Sequence, residues 1–324
     1  MKWLFLLPFV AYVNGAKRIL LVVWCMISQP QDIFILWNYL GLYRTKSGSQ
    51  GHGPSSTKFS NRACGQLEHV KMYIVWYPLY TYIFCSWETA NLKGRFPFVP
   101  TIRGLAQLQG QEWDWAWNSQ GPEILFVINY RHQNLITNIH SKLNEPERAG
   151  ISPQQAAQYW YSHMVPLRQQ RGKILVSPSC ANDDAGKRWL EQFMNLVQSQ
   201  KPDKTGIHLY HKDGNAAIQY LQEMHNKYNL PLYITEMASI HRNYADVLYF
   251  TAQLCNFCDS TTWVDKYALF GFMPKVADSF VSPQAQLMHS DGSFRDLFWK
   301  YLFDAPIVAN QQGVSLGEAQ NAYH

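Results

Sequence analysis

The sequence is poor in charge: only 16% of its 324 residues are Asp, Glu, Lys or Arg, and no block of five or more like charges occurs. Nucleic-acid binding calls for clustered basic side chains, so a net charge of +5 spread thinly excludes nucleic acid as an expected partner. No Gly-x-Gly-x-x-Gly follows an apolar run, which removes the dinucleotide-binding fingerprint. No apolar run is long enough to span a bilayer, so stable membrane insertion is not expected. The sequence has no Asn-x-Ser/Thr sequon, hence no expected N-glycosylation. Cysteine is sparse, at positions 25, 64, 85, 180, 255 and 258. Cys255-Asn-Phe-Cys258 lacks the second ligand pair of a zinc site, and it reads as structural thiols or a local disulfide. No metal and no other cofactor is expected.

Apolar residues are abundant at 47%, a balance that suits a packed globular chain rather than a disordered one. Aromatics reach 15%; most should fill the core, and a few could stack on sugar rings. Trp113, Trp115 and Trp117 alternate and fit either role. The N-terminus reads as a signal peptide over residues 1–15: Lys2, an apolar run from Trp3 to Val13, then the small-residue site Val13-Asn14-Gly15. Secretion to the extracellular space or cell wall follows as an expectation, with Ile19–Ile27 as a first buried strand.

From about residue 95, short apolar runs alternate with amphipathic segments. Strands are predicted at 96–100, 123–128, 173–177, 206–211, 232–236 and 267–272. Helices are predicted at 152–170, 187–199, 215–228, 244–259 and 294–302. The first of these helices carries Ser152 as cap, Pro153 at its first position and Gln155 three residues past the cap. The strands are continuous apolar runs, as in a parallel sheet covered on both faces. With two strands upstream the count reaches eight, and a (β/α)8 TIM barrel fits the length. A doubly wound open sheet is the alternative.

In such a barrel the C-terminal ends of the strands form the active face. Leu143-Asn-Glu-Pro146 and Tyr233-Ile-Thr-Glu236 put two glutamates there. Glycosidic cleavage needs one carboxylic acid for the leaving oxygen and a second carboxylate to attack the anomeric carbon or activate water. Glu145 is the expected acid/base and Glu236 the expected nucleophile. Asn144 is placed for a sugar hydroxyl. His208 and Tyr210 share a strand face and could orient Glu236. Phe270 is a further candidate substrate contact. Asp183 and Asp184 read as a solvated loop or a helix cap, and Glu147 as a surface partner.

Asn144-Glu145-Pro146, His208-Leu209-Tyr210 and Thr235-Glu236, in that order, resemble glycosidase clan A. With Phe98-Val-Pro100, Ser152-Pro-Gln-Gln-Ala156, Leu175-Val-Ser-Pro178 and Leu287-Met-His-Ser-Asp-Gly292, the chain is similar to glycoside hydrolase family 128, the fungal alkali-sensitive-linkage type, over about residues 87–303. The resemblance implies a (β/α)8 barrel, a retaining mechanism without cofactor, and a β-1,3-glucan substrate; endo action by a monomer is the accompanying expectation. A glucan-binding protein with the same fold and an impaired site is the alternative. The catalytic domain is expected over 16–306, with a C-terminal tail at 307–324. Residues 25–85 and 129–142 depart from the family pattern as atypical insertions. They read as translated introns or a misjoined gene, since family-like sequence resumes on either side.

Overall fold

The strand–helix alternation carries through into the structure, a computed structural model that describes residues 18–20, 101–102, 108–119, 123–126, 145–271, 276, 279–290, 293–304 and 306–309. The expected signal peptide, the strand at 96–100, Asn144 and both atypical insertions lie outside the described residues.

Seven strands occur among the described residues: β1 (Arg18–Leu20), β2 (Thr101–Ile102), β3 (Glu123–Phe126), β4 (Ile174–Val176), β5 (Thr205–His211), β6 (Leu232–Ser239) and β7 (Val264–Leu269). All their pairings are parallel. One sheet runs β1-β7-β6-β5 and another β2-β3-β4. Isolated parallel bridges, Val176 to Lys204 and Cys180 to Ile207, place the end of β4 beside β5. There Gly206 is required by contact. A Cβ on it would lie 2.5 Å from the Ser177 carbonyl and 2.5 Å from Ser179 Oγ. Its amide instead donates to Ser177 Oγ at 2.9 Å.

Parallel strands need crossovers, and here they are helices. Helix α1 spans Gly110–Asn118, α2 Pro146–Ala149, α3 Pro153–Tyr159, α4 Val165–Arg171, α5 Asp184–Leu196, α6 Gly214–Tyr228, α7 Tyr244–Ser260 and α8 Asp296–Phe303. Each of β4, β5 and β6 leads to a side-chain cap: Asp183 accepts from Gly186, Asp213 from Asn215 and Ala216, Asn243 from Ala245. Such caps satisfy amides the helix cannot, at about 1 kcal/mol each. Ser152 and Gln155 form the expected capping box. The single helix predicted at 152–170 is interrupted by a π turn, Trp160–Met164. Pro166 explains it: proline has no amide to donate and clashes with the preceding turn. The widened turn, in which the Val165 amide bonds the Trp160 carbonyl, lets the chain pass into α4.

The core lies between the sheet and its helices. Trp160, Phe193, Tyr233, Tyr267, Phe298 and Tyr301 are fully buried. Two of these aromatics are tied to the backbone by their polar ends: Trp160 Nε1 donates to Gln200 O at 2.7 Å, and Tyr301 Oη to Tyr267 O at 3.0 Å. Truncating such a side chain costs about 3–5 kcal/mol. Trp113 and Trp117 fall on α1 rather than on a strand, one turn apart, with ring centroids 6.0 Å apart. Trp113 meets His163 edge-on, and Arg171 lies over Trp117, so packing rather than a sugar platform accounts for both. Cys180, Cys255 and Cys258 are buried. Ile307, the first residue of the expected tail, is buried and bonded in both directions to the Asn256 side chain.

Candidate active site

Glu145 precedes Pro146, and a residue before proline is pushed out of the helical region. Its backbone is accordingly extended (φ −104°, ψ 103°) at the N-cap of α2. Proline suits the first helical position, so Asn-Glu-Pro is a local device for setting a glutamate at the mouth of a short helix. Gly150, with φ 75°, ends that helix after four residues.

Glu236 was expected to end its strand. It lies inside it, and β6 continues to Ser239. Against β5 the register runs Ile207 to Ile234 and then His208 to Glu236. β6 therefore carries one extra residue, and the register slips at the same place against β7. Such a bulge re-aims side chains next to it. Thr235 takes up the extra position, donating to Ser179 Oγ at 2.9 Å, and Glu236 comes level with His208.

Four expected residues then meet. Tyr210 Oη donates to Glu236 Oε2 at 2.6 Å. His208 Nδ1 lies 3.4 Å from Glu145 Oε1 and 3.6 Å from Glu236 Oε2. One ring nitrogen thus faces both carboxylates, 91 residues apart in the chain. These separations are long for hydrogen bonds, as catalytic contacts often are before substrate arrives. His208 is buried, Glu236 is 5% exposed, and the Glu145 side chain is 15% exposed. The nucleophile candidate therefore lies deeper than the acid candidate. Burial disfavours charge on His208, but the Glu236 and Glu145 carboxylates outweigh it and raise its pKa above the ordinary imidazole value. Its other nitrogen, Nε2, is buried without a hydrogen-bond partner among the described residues.

Phe270 follows β7 and is buried against Tyr210, edge-on at 5.6 Å. It backs the tyrosine. On the other side of Tyr210 stands Phe280, half exposed, with ring centroids 5.2 Å apart. The backbone around Phe280 is held by Arg242, which donates to the carbonyls of Ser279 and Val281 at 2.5 and 2.8 Å. No motif marks Phe280 in the sequence, and only the fold brings it here.

Two more residues escaped sequence reasoning. Arg148 Nε lies 2.5 Å from Glu145 Oε2, and its Nη2 lies 2.5 Å from Asp183 Oδ2. The signal was available, since residues three apart on a helix are neighbours. Burial opposes charge on Arg148, while Glu145 and Asp183 raise its pKa. Burial would raise the Asp183 pKa, but the Gly186 amide and Arg148 hold it below the ordinary value. Glu147, read as a surface partner, turns inward. Its Oε1 accepts from the Ala181 amide at 2.8 Å, and Oε2 is buried. Burial raises its pKa, against the pull of that amide.

Among the described residues no cluster of His, Cys, Asp and Glu could hold a metal ion, and no helix is long and apolar enough to cross a membrane. The arrangement offers a pair of carboxylates, a shared imidazole and a phenol on one of the pair.

Comparison with known proteins agrees with that chemistry. Residues 58–301 match the family described as glycosyl hydrolase catalytic core. A family 128 (subgroup VI) exo-β-1,3-glucanase from Aureobasidium namibiae is 37% identical, with 91% of this chain and 99% of that one covered and a TM-score of 0.69. A family 128 (subgroup VII) oligosaccharide-binding protein from Cryptococcus neoformans shares the fold at 16% identity, covering 89% and 93%, with a TM-score of 0.55. Alkali-sensitive linkage protein 1 of Schizosaccharomyces pombe is 27% identical over 147 residues, which are 40% of this chain and 27% of that protein. The chain thus spans about a quarter of that curated relative. The α/β fold, the paired glutamates and a match over most of the chain place this protein in glycoside hydrolase family 128.

Proposed function

We propose that the chain is a secreted, retaining β-1,3-glucanase built on a closed (β/α)8 barrel. The observation that carries this reading is the single imidazole nitrogen shared by Glu145 and Glu236. The separation of the two oxygens that face it cannot exceed the sum of their distances to that atom. That bound admits the ~5–5.5 Å spacing of double displacement. Tyr210 donates to Glu236 Oε2 and orients the carboxylate for attack.

The reaction then runs in two steps. Glu145 gives its proton to the glycosidic oxygen while Glu236 attacks the anomeric carbon. The bond to the leaving sugar breaks and a glycosyl ester forms on Glu236. Water then attacks the anomeric carbon and gives its proton to Glu145, and Glu236 departs as a carboxylate. No step needs a cofactor.

Closure of the barrel is supported by the strand order β2-β3-β4-β5-β6-β7-β1. The first described strand pairs with the last, as a ring requires. The glucan substrate is supported by the 37% identical exo-β-1,3-glucanase, which also makes exo action the expected mode in place of endo. Secretion is supported by the N-terminal pattern alone, and the monomer remains the expected state. Incubation of laminarin with the wild type and with Glu236→Gln tests the function. Release of sugar with retained β configuration, absent from the variant, is expected. Laminarin binding without release of reducing sugar would overturn the glucanase in favour of an oligosaccharide-binding role.

A further inference from the structure

In the structure both oxygens of Glu145 are engaged. Oε1 faces His208, and Oε2 lies 2.5 Å from Arg148 Nε. A general acid must carry a proton in the first step and give it up, whereas a guanidinium at that distance favours the charged carboxylate. Arg148 is not committed to Glu145, however. Its Nη2 is equally close to Asp183, which at the same time caps α5 through the Gly186 amide at 2.9 Å. One cation is therefore divided between the acid/base and an anchored second carboxylate.

We propose that Arg148 is the positioning residue that sets how firmly Glu145 holds its proton, with Asp183 as its counterweight. The proposal rests on the acid/base role assigned to Glu145 above. Arg148 orients the Glu145 carboxylate and favours the form that accepts a proton from water in the second step. Asp183 draws off part of that positive charge, so that Glu145 can still be protonated for the first step. The other charged or titratable groups facing Glu145 among the described residues are His208 from β5, Glu236 from β6, Glu147 on α2 and Cys180 beyond β4. The carboxylates oppose charge on Glu145 and His208 favours it. Among the described residues, only Arg148 joins Glu145 to a fixed partner outside this cluster.

The test compares Arg148→Gln, Arg148→Lys and Asp183→Asn in the full chain, with thermal unfolding recorded for each. Asparagine caps a helix as well as aspartate does, so Asp183→Asn removes charge and keeps α5. The readout is the alkaline limb of the pH profile of kcat/KM on a β-1,3-glucan oligosaccharide. Arg148→Gln should move the limb up by about one pH unit, the lower end of what a neighbouring arginine does to a carboxyl. Asp183→Asn should move it down, and Arg148→Lys should leave it near the wild type. A merely structural arginine would not move the limb in opposite directions. Limbs that stay fixed, or move the same way in Arg148→Gln and Asp183→Asn, overturn the proposal while leaving the glucanase standing. A wild type that hydrolyses no glucan overturns both.

Discussion

The two glutamates of the site stand on different ground. Glu236 belongs to β6, whose eight residues are all buried and which pairs on both sides, with β5 and with β7. Its position comes with the sheet, and one phenol adjusts it. Glu145 heads a four-residue helix, and its side chain is held by Arg148, itself 43% exposed. An exposed ion pair is worth about 0–1 kcal/mol, far less than a buried strand. The proposed nucleophile is fixed by the fold, while the proposed acid/base is held by a few side chains that can be retuned. Such a division suits a reaction in which one carboxylate keeps its place and the other must change its protonation state twice.

The largest test of that contrast replaces each glutamate in turn. Glu236→Gln should lower kcat on laminarin by about 10⁴-fold or more, the scale on which enzymes lose rate with their nucleophile. Its melting temperature should stay near the wild type, because glutamine still accepts from Tyr210. Glu145→Ala should cost about 10²–10⁴-fold, the share general acid–base catalysis supplies. Azide should restore turnover of aryl glycosides by Glu145→Ala, since a small anion can take the vacated place. Equal losses in both variants, with no azide rescue, would erase the distinction between the two sites.

The same contrast explains what the sequence could disclose. Ser152, Pro153 and Gln155 announced a helix start because a capping box is local. β5 and β6 were legible because parallel strands covered on both faces read as unbroken apolar runs. Glu145 was legible because proline dictates the backbone just before it. The bulge at Thr235 was not, because it exists only as a register between β6 and its neighbours. The π turn before Pro166 was hidden by a helical pattern that continues through it. Phe280 reaches Tyr210 across 70 residues of chain, on a segment whose place Arg242 sets. No periodicity encodes such a contact.

Phe280 sharpens the comparison at the rim of the site. It is a half-exposed ring on the far side of the tyrosine that touches Glu236. A sugar stacked there would gain an aromatic contact of about 1 kcal/mol. Phe280→Ala should therefore raise KM about fivefold and leave kcat nearly unchanged, because the contact binds substrate and transition state alike. Steady-state kinetics on laminarin oligosaccharides decides. A fall in kcat with constant KM would place the ring in the chemistry instead.

The smallest effect concerns stability and comes from Glu147, the carboxyl beneath the adjustable end of the site. Burial raises its pKa in the folded protein, despite the Ala181 amide that favours the charged form. The folded state therefore binds this proton more tightly than the unfolded chain does. The stability that follows is fully present below the unfolded carboxyl pKa and is lost as pH rises through the folded one. Glu147→Gln escapes that loss, since an amide does not ionise and its oxygen can still accept from Ala181. The variant should melt close to the wild type in mild acid and above it near neutral pH. Each 1 kcal/mol corresponds to about 2–4 °C in a chain of 150–250 residues, so the gain should be a few degrees at most. Melting temperatures of both proteins across that pH range provide the check. A difference independent of pH would mean that Glu147 is charged in the folded state throughout, and that α2 is held by its charge rather than in spite of it.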